Sequence, residues 1–83
     1  MIHINHQKRD KLDIMAAILE ACQERMHKTK IVYSCNLNFK ITEPYLEFLI
    51  TRGFIEQSGV IYKLTEKGLV LLEKIRELKK MLE

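Results

Sequence analysis

Tryptophan is absent from this sequence, proline occurs once and glycine three times in 83 residues. So little proline and glycine leaves no low-complexity linker, and 47% hydrophobic against 30% charged residues fits a folded chain rather than a disordered one. No apolar run approaches the roughly 18 residues that a membrane span requires. Met1 to Gln7 has neither the basic nor the apolar region of an export signal. These absences point to a cytoplasmic protein with no membrane partner. At 83 residues the chain makes one domain, whose core must use nearly every apolar position or be extended by a second copy.

Cys22 and Cys35 are the only cysteines. Each stands in a segment with helical character, and a reducing compartment keeps both as small, buried thiols. A structural zinc would need two more ligands, and His3, His6 and His27 do not stand at finger spacing. No metal or other cofactor is expected. There is also no Gly-rich phosphate loop, no Ser/His/Asp or Cys/His arrangement and no carboxylate pair placed to line a cleft. The chain therefore reads as a non-enzyme without a small-molecule substrate.

What is present is mild basicity, with a net charge of +3, unevenly spread. In the first half Lys8, Arg9, Lys11, Arg25, Lys28, Lys30 and Lys40 outnumber Asp10, Asp13, Glu20 and Glu24. Between Ile41 and Gly59 the balance reverses, with Glu43, Glu47 and Glu56 against Arg52.

Hydrophobic spacing sets the order of elements. Residues 1–7 show no sustained period and read as a flexible arm or a short extended segment. From Lys8 to Met26 a helix is predicted, with Ile14, Ile18, Ala21 and Cys22 on one face and Asp10 and Asp13 in its first turn. Thr29 caps a short second helix carrying Ile31, Val32 and Cys35, and Asn36 ends it. Leu37, Asn38 and Phe39 form the following turn. Two starts are open for the third helix. Thr42 can cap it with Pro44 in the first turn, or it can begin near Phe39 with Pro44 as a kink. The Thr42 cap is preferred for the regular part, after up to one irregular turn. Gly53 ends this helix. Phe54 to Gln57 and Val60 to Leu64 then make a hairpin closed by Ser58 and Gly59, with Tyr62 and Leu64 folded onto the helices.

Thr65 caps a last helix from Glu66 to about Leu82, in which Gly68 is a mild cost. Leu69 and Leu72 are assigned to the domain core. Leu71, Ile75, Leu78 and Leu82 recur at spacings of four, three and four, a seam that suits a self-associating pair. Glu73 with Arg76 and Glu77 with Lys80 are expected as ion pairs on the remaining face. Two short helices, a turn, a further helix and a tight hairpin make a winged helix-turn-helix, a mainly α chain with a small β-hairpin (α+β). Residues 1–65 form that domain and 66–83 a C-terminal dimerisation helix. A helix-turn-helix presents its second helix and the adjoining hairpin to a duplex. That assigns residues 42–52 to recognition and 54–64 to the wing, and Lys28, Lys30, Lys40, Arg52 and Lys63 to phosphate contacts.

KTKIVYSCNLNF, YLEFLITRGFIE and YKLTEKGLVLLEKI, in this order, resemble small archaeal winged-helix proteins, including the chromatin-associated "ten-a" DNA-binding proteins and related predicted transcriptional regulators. The likeness runs from about Lys8 to the C-terminus. It implies double-stranded DNA as partner, a homodimer joined by an antiparallel coiled coil, and a regulatory or nucleoid-associated role. Residue by residue it points to Thr29, Lys30, Lys40, Thr42, Glu43, Tyr45 and the hairpin around Ser58 as the DNA contacts. The chain departs from the pattern in a short final helix, and in a recognition helix with Pro44 and two glutamates where lysines are usual. The alternative is a winged-helix module whose acidic third helix and wing dock onto a basic protein.

Overall fold

The computed structural model describes residues 9–83, and the arm expected at residues 1–7 lies outside them. Within this span the elements run α1 (Lys11–Ala21), β1 (Met26–His27), α2 (Lys28–Ser34), α3 (Phe39–Thr51), β2 (Ile55–Ser58), β3 (Ile61–Leu64) and α4 (Glu66–Met81). No helix of the described residues is long and apolar enough to cross a membrane.

The first helix opens on a reciprocal cap. The Asp13 N–H donates to the Asp10 side chain at 2.8 Å, and the Asp13 carboxylate accepts from the Asp10 N–H at 3.2 Å. It closes at Ala21, well short of the expected Met26. Two long-range contacts explain the difference: the Cys22 carbonyl accepts from the Leu64 N–H at 2.7 Å, and Met26 and His27 pair antiparallel with Tyr62 and Ile61. Tertiary pairing thus overrides a local helical period. The buried face is Ala16, Ile18, Leu19 and Cys22, while Ile14 and Ala21 are only half buried.

Helix α2 begins at Lys28 and Thr29 is not its cap. His27 holds the cap position in an extended conformation without a side-chain bond, because it also ends β1. The far end follows expectation. Asn36 takes a positive φ of 55°, its N–H donates to the Tyr33 carbonyl, and the Leu37 N–H donates to the Val32 carbonyl at 2.9 Å. That is a Schellman motif with asparagine in place of glycine. Gly53 repeats it at the end of α3, with φ 81° and the Phe54 N–H donating to the Leu49 carbonyl at 2.8 Å.

Of the two starts open for α3, the earlier one is found, with Asn38 as its cap. The Asn38 side chain accepts from the Ile41 N–H at 2.8 Å, and Phe39 belongs to the helix rather than to the turn. Thr42 is an interior residue, fully buried, whose hydroxyl donates to the Asn38 carbonyl at 2.7 Å. Pro44 lies inside the helix on its exposed side, where the Lys40 carbonyl that loses an amide partner can be hydrated.

The hairpin is shifted by one residue from expectation. Ile55 to Ser58 pair with Leu64 to Ile61, so Gly59 and Val60 form the two-residue turn and Phe54 precedes the strand. Gly59 at φ 61° is the first turn residue, the place where a type II′ hairpin needs positive φ. Because β1 joins the other edge of β3, the wing is a three-stranded sheet of order β1-β3-β2.

Helix α4 is capped as expected, the Thr65 hydroxyl accepting from the Gly68 N–H at 3.0 Å. Leu72 is buried in the same core as Ile18, Leu49 and Ile55, whereas Leu69 is exposed. Ile75 is also buried in that core and is not free for a seam, Leu71 is half buried, and Leu78 and Leu82 are exposed. The expected pairs along α4 give way to pairs across helices. Arg76 meets Glu20 at 3.2 Å and Lys79 meets Asp13, both on α1, which packs antiparallel to α4. The second half of α4 therefore has a neighbour inside its own domain.

Candidate functional site

Thr29 and Lys30 are exposed on the first turn of α2, and Lys40 is exposed on the first turn of α3. Lys40, Pro44, Glu47 and Thr51 form the outward row of α3, following the helical repeat. This row is neither basic nor acidic as a whole. Arg52 stands about 18 Å further along α3 than Lys40, at 1.5 Å per residue. Its guanidinium lies 4.9 Å from the centre of the Phe48 ring.

Thr42, expected among the DNA contacts, is buried and cannot reach a ligand from the α3 surface. Tyr45 is half buried against the core. With Lys11, Met15, Pro44 and Phe48 it lines an open apolar groove of about 510 Å³ between α1 and α3. Ser58 and Lys63 lie on the opposite sheet face from the one turned to α3. They share a depression there with Arg25 and Glu56, and Glu56 stands directly across from Lys63 in the ladder. Opposite charges so placed attract across the strands.

Glu43 is the residue whose surroundings differ most from expectation. Its carboxylate accepts a hydrogen bond from Lys28, the first residue of α2, forming an ion pair at the surface. α2 has no acid in its first turn, so a lysine at its positive end gains from a carboxylate brought in by α3. The bond to Glu43, with a smaller contribution from the Tyr62 hydroxyl group, holds the Lys28 ammonium above the ordinary lysine range. Exposed pairs of this kind contribute roughly 0.2–1 kcal/mol. The acidity inferred for residues 41–59 is therefore partly cancelled by a lysine from outside that stretch.

Both cysteines are free and buried. Burial, and then the neighbouring Cys35, push the Cys22 thiol from 9.0 up to about 12, and burial also raises Cys35. Thiolate is the reactive form. In the folded protein both thiols are expected to resist a disulfide reagent at pH 8 and to react at once in denaturant, as a thiol titration would read. A thiol kept neutral by folding stabilises fully below its unfolded pKa. That contribution fades as pH rises from about 9 towards 12, so the urea midpoint should fall over that range.

The sequence places Asn38 in a turn and gives Gly68 only a mild helical cost, whereas the structure makes one the cap of α3 and the other a close approach to Phe54. Asn38 three residues before Ile41 is a legible cap signal. Gly68 carries no local signal at all: an alanine Cβ there would lie 1.9 Å from the Phe54 carbonyl oxygen.

Comparison with known proteins agrees with this architecture. Residues 8–83 match the winged helix-turn-helix family. Two uncharacterized proteins of Methanocaldococcus jannaschii are similar in sequence. MJ0290 is 44% identical over 71 residues, which are 84% of this chain and 34% of that protein. MJ0287 is 35% identical over 72 residues, 86% of this chain and 74% of that protein. The chain thus spans about a third of the length of MJ0290. Among solved structures, Sso10a-2, a DNA-binding protein from Sulfolobus solfataricus, superposes with a TM-score of 0.79 at 31% identity, over 88% of this chain and 81% of that one. With its helices, turn and wing in the order that the motif requires, this chain belongs to the winged helix-turn-helix family.

Proposed function

We propose that this chain binds double-stranded DNA as a homodimer, acting in the cytoplasm as a transcriptional regulator or a nucleoid protein. The observation that carries the reading is the likeness in fold and sequence to the DNA-binding protein Sso10a-2. Exposed Lys30 and Lys40 at the starts of α2 and α3 support it, since in a helix-turn-helix the first helix crosses the backbone and the start of the second enters the major groove between the phosphate rows. The wing adds Lys63, which shares a depression with Arg25 from the segment before β1, and Ser58 stands near the wing tip. For the dimer, the support is the exposed apolar end of α4, Leu78, Met81 and Leu82, next to half-buried Leu71.

Fluorescence anisotropy with a random-sequence duplex tests DNA binding. The logarithm of affinity should fall with the logarithm of salt by about 0.9 for each phosphate neutralised. Lys30→Glu with Lys40→Glu should weaken binding by at least about tenfold at low salt and reduce the slope by roughly two. An unchanged affinity would remove these lysines from the interface. The groove between α1 and α3 favours a second reading, a module that docks a protein partner, because exposed Phe48 lines it and Ile41 is a further exposed apolar residue of α3. Absence of duplex binding even at low salt would select that reading.

A further inference from the structure

We propose that Glu43 is an internal competitor for DNA, holding Lys28 in the position where the lysine would otherwise meet a phosphate. The inference rests on the DNA-binding reading and adds a residue that limits affinity.

Lys28 is the first residue of α2, beside exposed Thr29 and Lys30, and Glu43 is on the first half of α3. Lys28 and Glu43 both line a groove of about 290 Å³ between α3 and the sheet, bounded also by Glu47, Thr51, Gln57 and Tyr62. The lysine and glutamate side chains remain 33% and 53% exposed, so an incoming anion can reach the ammonium without any rearrangement of the core. A carboxylate and a phosphodiester offer the same anionic oxygens to one ammonium. While Glu43 holds it, Lys28 neutralises no phosphate and releases no counterion from the duplex. Glu43 also sets a negative charge beside the approaching backbone. Glu47, one turn further along α3, adds a second negative charge without a lysine partner among the described residues. The two glutamates therefore make different predictions, one acting through a lysine and the other by repulsion alone.

The test compares four proteins, wild type, Glu43→Gln, Lys28→Gln and the double variant, by anisotropy on the random-sequence duplex across salt. Glu47→Gln serves as the repulsion control, and circular dichroism checks folding. The expected result for Glu43→Gln is a gain of about three- to tenfold at low salt, with a slope steeper by about 0.9, the value of one extra phosphate. Lys28→Gln alone should change little. In the double variant the added slope should disappear and the gain over Lys28→Gln should shrink to the size seen for Glu47→Gln. Glu47→Gln should give a smaller gain with no change in slope. If the full gain of Glu43→Gln and its steeper slope survive loss of Lys28, Lys28 has no part in the effect and the competition is overturned. If Glu43→Gln binds more weakly than wild type, the glutamate contacts the nucleic acid directly and the proposal is equally wrong. Wild-type binding with no gain in Glu43→Gln overturns this inference alone, whereas no binding by any of the proteins overturns the DNA reading with it.

Discussion

Replacing Gly68 with alanine is expected to destabilise the protein by about 3–5 kcal/mol, although helix propensity alone favours alanine over glycine by about 1 kcal/mol. The added Cβ would lie 1.9 Å from the Phe54 carbonyl oxygen, 2.9 Å from its carbon and 2.6 Å from Leu64 Cδ1. The first two atoms are backbone and cannot rotate away. That carbonyl also accepts from the Thr65 N–H at 3.2 Å, while the Thr65 hydroxyl donates to the Gly53 carbonyl at 2.6 Å. Lys67 completes the junction, its ammonium donating to the Arg52 carbonyl at 2.7 Å and lying 4.9 Å from the centre of the Phe54 ring. The stretch LTEKG is thus a clamp that joins the end of α3 to the start of α4, and Gly68 is its closest approach. A domain of this size has roughly 4–12 kcal/mol in all, at 0.05–0.15 kcal/mol per residue. Urea unfolding followed by circular dichroism should show the midpoint falling steeply or the transition lost. A midpoint equal to or above wild type would mean that Phe54 and Leu64 move aside and that the close approach carries no energetic weight.

Ile75→Lys should unfold the protomer itself, at a cost of about 3–5 kcal/mol, whereas Leu82→Lys should leave protomer stability within about 0.5 kcal/mol. Ile75 is buried in the core shared by α1 and α4, and an ammonium there would have no partner, while Leu82 is exposed. The contrast separates two properties that the heptad-like spacing of α4 merges. A dimer built on the end of this helix should be lost in Leu78→Lys with Leu82→Lys while the melting curve hardly moves, and sedimentation at tens of micromolar reads it directly. If Ile75→Lys folds as stably as wild type and merely becomes monomeric, the packing of α4 on α1 is wrong and the seam runs through Ile75.

Where local chemistry suffices, the elements could be read from residue order. Asn36 and Gly53 are the residue types that tolerate positive φ, and both end helices with the same pair of hydrogen bonds. Thr65 caps α4 because its hydroxyl reaches the amide three residues on. The winged helix-turn-helix order, the burial of both cysteines and the exposed lysines at the starts of α2 and α3 follow from the same kind of signal. Each depends on neighbours within one turn.

The rest depends on partners distant in sequence. Met26 ends a helical period, yet with His27 it forms a strand because β3 offers hydrogen bonds to that edge. Thr42 has the chemistry of a cap but lies on the side of α3 turned to the core, so Asn38 takes that place. Ile75 fits a seam by spacing, and only the packing of α1 along α4 places it inside. In the candidate site, Glu43 and Lys28 are fifteen residues apart and carry no local mark of their pairing. Periodicity shows which residues share a face, whereas what that face meets is decided by the tertiary packing that brings a second surface against it.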